Sequence, residues 1–285
     1  MIQINGKGCQ VKVIEDSIAF DTGKRLTTLQ LRYWRSIHAE FMTHRVLSKN
    51  ASSSRAIPVA KMIEQVRNEP AGPIHWGKNQ PGMQAHAELS GDDLIAVQHH
   101  WRMAAADAAA RAEIMMERGA HKQVANRVLE PFQFINVVTT ATEWDNFFEL
   151  RKHPDAQPEI HDLALAMFEA MERSVPRERK RDRQKATSWH LPYVTDLERY
   201  TYHDEPLFLA KLSTARCART SYLTHDGIVP DVTKDMGLYE RLVGARPLHA
   251  SPTEHQAYPL PLATQQSKNF FGWRQHREVV EFALA

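Results

Sequence analysis

The sequence has few cysteines, no long apolar run and almost no excess of one charge. Its 285 residues include two cysteines, Cys9 and Cys217, which are too few and too far apart for a disulfide framework or a Cys/His zinc site. No apolar run approaches the roughly 18 to 20 residues that span a bilayer, and the N-terminal residues have no charged-then-apolar secretory pattern. We therefore expect a cytoplasmic protein with free thiols, no metal and no membrane partner.

The charges nearly cancel. The 36 Lys and Arg residues face 34 Asp and Glu residues, which leaves a formal net charge of +2. This excludes a polyanion-binding surface carried by bulk charge, so any anion site has to be local. With 42% hydrophobic and 25% charged residues, the chain has the composition of a globular protein that buries a sizeable core.

Hydrophobic patterning predicts both strands and helices. Alternating residues over 2–35 predict a β-hairpin or small sheet, and the β-branched and aromatic run at 132–140 predicts a further strand. Loops are indicated at 69–85, which is dense in glycine and proline, and at 224–235. Helical spacing is present at 34–46, 59–66, 91–118, 121–127, from 143, and at 156–173, 205–219 and 235–244.

The run P-R-E-R-K-R-D-R-Q-K at 176–185 is strongly charged. It is typical of either a flexible, solvated connector or a patch that binds RNA or DNA. We favour the connector, because no aromatic residues are interleaved in the run.

A local anion site is indicated at 44–55, H-R-V-L-S-K-N-A-S-S-S-R. A helix end followed by serines, an asparagine and arginines offers the hydroxyl, backbone N–H and guanidinium donors that a phosphate monoester requires. A serine-rich turn flanked by surface arginines has the same composition. Composition alone therefore leaves both interpretations open.

The order of these residues is more informative. Read as H-R-x-x-S-x-N-x-x-S-x-R, the segment 44–55 resembles the signature of the flavin-dependent thymidylate synthases. We call this segment the first motif. The sequence departs from that signature at two positions. Thr43 stands where the family has a leading arginine, and Ala51 where a glutamate is common. The contacts of those two family side chains are not carried over to this chain.

Further segments resemble the same family. N-R-V-L-E-P at 126–131 is similar to its arginine before a leucine and a proline, and 146–160 to its N-F-x-x-L-R-x-x-x-x-A-Q-x-E-I segment. By contrast, A-R-T-S-Y at 218–222 and L-H-A-S-P-T-E-H at 248–255 resemble segments that family members carry before the first motif. This order predicts a circular permutation, or a rearranged order of the same units, which folding tolerates where chain termini lie close together in space.

The resemblance implies an α/β (α+β) fold with a central mixed or antiparallel sheet and flanking helices, assembled as a homotetramer. We expect a single domain over 1–285. Its parts would be an N-terminal β segment (1–35), a nucleotide- and flavin-binding core (36–173), a charged connector (174–205) and a permuted flavin-contacting segment (206–285).

The resemblance also implies an activity: methylation of dUMP to dTMP, with 5,10-methylenetetrahydrofolate as carbon donor and NADPH-reduced FAD as hydride source. A cysteine nucleophile is not indicated, since neither Cys9 nor Cys217 lies in a Pro-Cys-His setting. A reduced flavin is therefore the expected electron source.

The implied site residues fall into three groups. Arg151 is the catalytic residue that faces the uracil ring. The substrate-binding residues are Ser52, Ser53, Ser54, Arg55, Arg127 and Arg151. The flavin-binding residues are His44, Arg45, Asn50, Asn146, His249, Ser251 and Glu254, with Ser48 supporting the binding loop and His255 singled out by the P-x-E-H context alone.

Three alternatives stay open. The same scaffold fits a one-carbon transfer that makes 5-hydroxymethyl-dUMP or acts on dCMP, since a few hydrogen bonds at the ring decide base identity. A non-catalytic nucleic-acid-binding module would use the charged run, although we expect no nucleic-acid partner. An inactive scaffold would fold without binding flavin.

Overall fold

A computed structural model describes residues 2–222 and 231–284. Most of the predicted 224–235 loop lies outside the described residues. The strands are β1 (Gln3–Asn5), β2 (Cys9–Ala19), β3 (Arg25–Trp34), β4 (Ser48–Ala51), β5 (Phe134–Ala141), β6 (Arg177–Arg179), β7 (Ala257–Pro259), β8 (Gln266–Ser267), β9 (Phe270–Phe271) and β10 (Trp273–Gln275). The helices are α1 (His38–Met42), α2 (Val59–Asn68), α3 (Gly91–Glu117), α4 (Lys122–Ala125), α5 (Asp145–Arg151), α6 (Pro158–Glu172), α7 (Asp196–Thr201), α8 (Pro206–Ala218), α9 (Val232–Val243) and α10 (His276–Leu284).

The central sheet has the strand order β1-β2-β3-β5-β4, all antiparallel, with β6 added parallel to β2. The β2–β3 hairpin closes at Gly23, whose φ of +66° is a backbone conformation that glycine adopts without a steric cost. The predicted N-terminal sheet and the predicted fold class, a mixed sheet with flanking helices, are confirmed.

One face of this sheet packs on helices. Leu29, Leu31 and Val137 alternate along β3 and β5 and are fully buried. They pack in one cluster with α6, whose Leu163 and Met167 lie on the helix face turned to the sheet. Side chains at every second strand position thus form the core, and the intervening ones face the other side.

The second face is covered by the C-terminal part of the chain. Its buried strand side chains include Thr28 and Thr140, which are polar. Backbone hydrogen bonds join His190 to Ala257, and Trp273 packs beside Ala257 in a small apolar cluster. The C-terminal third therefore lies directly on the sheet that carries the first motif.

A second core lies beneath the long helix α3. Ala105, Ala109 and Ala112 are fully buried against Met62 and Val66 of α2. Alanine at these positions lets the two helices approach closely. Among the described residues, no helix is both long and apolar enough to cross a membrane.

The helix predicted over 34–46 is wrong in extent. β3 continues to Trp34, because Tyr33 and Trp34 pair with the start of β5. A 3-10 turn and the short α1 follow, and Ser48–Ala51 then pairs with Val137–Thr140 as the edge strand β4. The first motif therefore starts in the turn that follows α1, and its residues Ser48–Ala51 lie on a strand.

At 176–185, where we predicted a solvated connector, eight of the ten residues are exposed. Three of its residues form β6, and Arg179 is buried. Four of its six basic side chains contact a carboxylate. These pairs are Arg177–Asp196, Arg179–Glu15, Arg181–Asp21 and Lys185–Asp204.

Candidate active site

The edge strand β4 divides the first motif between two faces of the sheet. Ser48 and Asn50 point to the face that the C-terminal part covers, and Lys49 points to the helical face. Asn50 Nδ2 donates to the carbonyl of Cys217 at 2.8 Å, and its Oδ1 accepts from Ser251 Oγ at 3.1 Å. One asparagine thus joins the first motif to Ser251 in one segment that is out of order and to Cys217, which immediately precedes the other.

A surface cavity of about 460 Å³ lies at this junction. Its walls come from the first motif, from the end of α8, from α9 and from the turn at 249–252. Arg55 and His249 are exposed there, and among the described residues Arg55 has no carboxylate partner. The lining residues are Asn50, Ser53, Arg55, Ala56, Gln123, Ala218, Leu242, His249, Ser251 and Pro252.

Ser48 supports this junction from inside. It is buried, donates to Asn269 Oδ1 at 3.2 Å and accepts from Gln275 Nε2 at 3.2 Å. Gln275 also donates to the carbonyl of Glu254 at 3.1 Å. A single glutamine on β10 therefore ties β4 to the Ser251–Glu254 turn, and the Glu254 carboxylate is itself paired with Arg277.

A second group lies around Arg151, at the end of α5. Its Nε donates to His44 Nε2 at 2.8 Å, and its guanidinium also pairs with Glu40. Burial, reinforced by Arg151 and Lys49, lowers the pKa of His44 to about 4. Burial likewise lowers the pKa of Lys49, which donates to the carbonyl of His44, to about 8. His44 is therefore neutral at pH 7.

A third group surrounds Glu130. Its Oε1 accepts from Ser54 Oγ at 2.8 Å and from Arg127 at 2.8 Å, and Arg35 lies 3.2 Å away. Two of the predicted phosphate ligands therefore hold a carboxylate of their own chain. Ser52 is buried and accepts from the backbone N–H of Asn136 at 3.1 Å.

The structure brings together Asn50, Ser53, Arg55, His249 and Ser251 in the cavity. Arg45 and Asn146 are exposed but do not line it, and neither do His44, Ser52, Ser54, Arg127, Arg151 and Glu254.

Sequence reasoning missed Glu40 and Glu130. Glu40 precedes His44 by four positions, and Glu130 lies within a quoted motif, but their partners Arg151 and Ser54 are distant in the sequence. The spacing gave no signal for either contact.

A sequence model of the family described as thymidylate synthase complementing protein matches residues 26–177, more than half of the chain. The chain belongs to this family. It is the family of the flavin-dependent thymidylate synthases, which the motifs of this chain resemble. The match includes the motifs at 44–55 and 126–160 and ends before the segments that are out of order.

Two solved structures are similar to this member of the thymidylate synthase complementing protein family. A UMP/dUMP methylase, PolB from Streptomyces cacaoi bound with 5-Br UMP, is 18% identical over 57% of this chain and 88% of its own, with a TM-score of 0.46. The flavin-dependent thymidylate synthase ThyX from Helicobacter pylori, complexed with FAD and dUMP, is 16% identical over 51% and 67%, with a TM-score of 0.39. No curated protein matches the chain.

Proposed function

We propose that the protein is a flavin-dependent thymidylate synthase that converts dUMP to dTMP. Methylenetetrahydrofolate would give its one-carbon unit to uracil C5 and leave as tetrahydrofolate. FAD reduced by NADPH would supply the hydride that completes the methyl group. Family membership supports this proposal. The observation that carries it is the cavity in which segments from the first motif, the end of α8 and the 249–252 turn meet.

We also propose that the segment order is circularly permuted within one domain. The two bonds of Asn50, to Cys217 and to Ser251, support this because they span 167 and 201 positions. In an unpermuted relative these two segments would precede the first motif along the chain and could make the same contacts with it. A different order along the chain is therefore compatible with the same arrangement of the segments in space.

The nucleotide phosphate would bind at Ser53 and Arg55. Ser53 lines the cavity, and the Arg55 guanidinium is exposed beside it without a carboxylate partner among the described residues. A guanidinium can bind a phosphate through two parallel hydrogen bonds, which fixes charge and position together. Arg127, Ser52 and Ser54 would act from the neighbouring Glu130 group.

The polar groups of the cavity fit a flavin dinucleotide. Asn50, His249 and Ser251 supply amide, imidazole and hydroxyl groups, and nearby His255 Nε2 is buried without a partner among the described residues. Asn50, His249 and Ser251 would hold FAD, which when bound and reduced supplies a hydride. The resemblance adds His44, Arg45, Asn146 and Glu254.

Arg151 would face the uracil ring. His44 and Glu40 fix the orientation of its guanidinium, the side-chain group that carries a positive charge. A fixed positive group beside uracil N3 and its carbonyls stabilises the electron-rich ring whose C5 attacks the one-carbon unit. This role needs no cysteine, and both thiols are buried with raised pKa values.

A homotetramer would complete the site. Arg45 and Asn146 are exposed and do not line the cavity of their own chain. Helix α3 exposes Ile95, Met103 and Ile114, an unusual set for a surface that faces only water. Association of subunits would cover this helix and bring residues of different chains together.

The test is an anaerobic incubation of FAD-reconstituted protein with NADPH, methylenetetrahydrofolate and dUMP, with the nucleotide product identified by mass spectrometry. We expect dTMP. 5-Hydroxymethyl-dUMP, or product only from dCMP in a parallel reaction, would replace this proposal by the related one that the Thr43 and Ala51 departures keep open. Protein that binds no flavin and leaves every nucleotide unchanged would contradict both.

A further inference from the structure

Five buried side chains form a continuous line of hydrogen bonds across the polar face of the sheet. Ser17 on β2 contacts His190 Nδ1 at 2.9 Å, and His190 Nε2 contacts Thr28 at 2.7 Å. Thr28 contacts Thr140 at 2.7 Å, and Thr140 contacts His255 Nδ1 at 2.8 Å. All five are essentially inaccessible to solvent, so each proton in the line needs an acceptor within the protein.

Arg179 sets the direction of this line. Its Nε donates to Ser17 Oγ at 3.2 Å. The Ser17 hydroxyl accepts this hydrogen bond and donates its own proton to His190 Nδ1. His190 then donates from Nε2 to Thr28, Thr28 donates to Thr140, and Thr140 donates to His255 Nδ1. The reverse direction would leave the Ser17 proton without an acceptor in the part of the chain that the structure describes.

The directed line fixes the state of His255. Its Nδ1 accepts, so its single ring proton lies on Nε2, which has no protein partner among residues 2–222 and 231–284. Burial lowers the pKa of His255 to about 3 and that of His190 far below its ordinary value. Both rings are neutral, as the line requires.

His255 ends the turn that forms one wall of the cavity. Ser251 lines the cavity and donates to Asn50, and Glu254 is bonded through its carbonyl to Gln275. On the other side, the backbones of His190 and Ala257 are paired. The Thr140–His255 hydrogen bond is thus the side-chain link from the central strand β5 to this turn.

We propose that His255 is a positioning residue: anchored by Thr140, it holds the Ser251–Glu254 turn in the geometry that binds the flavin and keeps an N–H donor at Nε2. The inference rests on the proposed function for the identity of the ligand. The hydrogen-bond line itself is independent of that function.

The tautomer is measured first, on the wild-type protein without ligand. Histidine labelled with 15N distinguishes protonated from unprotonated ring nitrogens by their chemical shifts, and His255→Gln assigns the signal. We expect the His255 proton on Nε2 from pH 6 to 8. A proton on Nδ1, or a charged ring, overturns the proposal.

The second measurement is FAD affinity in three variants of β5. Thr140→Val removes the hydroxyl that His255 accepts from, and Thr140→Ser keeps it. Thr139→Val is the matched control, because Thr139 is equally buried on the opposite face and its hydroxyl has no partner among the described residues. All three are compared with wild type by fluorescence titration and by the visible spectrum of the bound flavin.

We expect Thr140→Val to raise the Kd for FAD about tenfold, the loss of one hydrogen bond, with Thr140→Ser and Thr139→Val within about twofold of wild type. Equal affinity in Thr140→Val and wild type overturns the proposal, and so does an equal loss in Thr139→Val. If Thr140→Val does not fold, His255→Gln replaces it with the same expected loss. Wild type that binds no FAD contradicts the proposed function. The tautomer measurement then still tests the direction of the hydrogen bonds that end at His255, because it needs no ligand.

Discussion

Arg151 Nε donates to His44 Nε2 at 2.8 Å, which joins two motif residues that lie 107 positions apart. The acceptor nitrogen carries no proton, so the ring proton of neutral His44 is on Nδ1. His44 therefore offers a donor and not a base to any ligand at Nδ1. The imidazole also packs edge-on against Phe147, with ring centroids 4.9 Å apart, which fixes its plane.

The first prediction concerns Arg151. Arg151→Ala should lower dTMP formation by about 100-fold or more, because a preoriented charge at the reacting ring is lost. Bound flavin should be retained, measured by its visible absorbance after gel filtration. Arg173→Ala, which alters an exposed pair at the end of α6, is the control with wild-type turnover. Loss of flavin from Arg151→Ala would show instead that Arg151 serves the cofactor or the fold.

The second prediction separates two arginines at the phosphate site. Arg55 has no carboxylate partner among the described residues, whereas Arg127 is paired with Glu130. Arg55→Met should therefore raise the KM for dUMP by roughly 10- to 100-fold, the worth of a charge-assisted hydrogen bond. Arg127→Met should raise it less, in steady-state assays at fixed folate. The opposite ranking would place the phosphate in the Glu130 group.

The sequence predicted the elements well and the contacts between them poorly. Local periodicity gave β2, β3, α3 and α6, since each has a buried stripe at regular spacing. It failed at 44–51, because β4 is a strand only through its pairing with β5. An edge strand of four residues carries too short a pattern to be distinguished from the end of a helix.

The candidate site shows the same limit. The motif order identified Asn50, Arg55 and Ser251, which meet in one cavity. It did not identify Glu130, whose carboxylate accepts hydrogen bonds from two of the predicted phosphate ligands, Ser54 and Arg127. The contact with Ser54 depends on the fold, because the two residues are distant in the sequence. Charge compensation is a property of the three-dimensional arrangement and leaves no spacing signature.

The third prediction tests Arg179, the buried residue of the charged run at 176–185. Arg179 pairs with Glu15 where both side chains are below 10% exposed, and Arg199 lies 3.0 Å from the same carboxylate. Arg179→Met should lower the free energy of unfolding by about 3 to 5 kcal/mol, because it breaks a buried pair on one side. Arg181→Met, next but one in the chain and exposed, should cost less than about 1 kcal/mol. Urea unfolding measures both, and similar losses would contradict the burial of Arg179.

The fourth prediction tests the link between the first motif and the displaced segment. Asn50→Ala and Ser251→Ala each break the 3.1 Å bond between them. Their effects on FAD affinity should therefore be non-additive, with a coupling of about 0.5 to 3 kcal/mol in a double-mutant cycle. Asn50→Ala combined with Ser267→Ala is the matched control, since no bond joins that pair among the described contacts. Full additivity in the first cycle would mean that the segment 248–255 does not act together with the first motif in flavin binding.

The last prediction concerns acid stability. Burial lowers the folded-state pKa of His38, His44 and His276 to about 4 and of His255 to about 3. In the unfolded chain these rings bind a proton below pH 6.5 or so. The unfolded state then holds more protons, so their contribution is complete above pH 6.5 and is lost as the pH falls toward 4 and 3.

Each such histidine adds at most about 1.4 kcal/mol per pH unit to the slope of unfolding free energy against pH within that window. Urea unfolding of the ligand-free protein between pH 7 and 4.5 should therefore show a slope worth several protons, and His44→Gln should remove about one. His203→Gln is the control, because that side chain is 61% exposed. A stability that is flat across this range would mean that the four rings are hydrated in the folded protein and bind protons as they do in the unfolded chain.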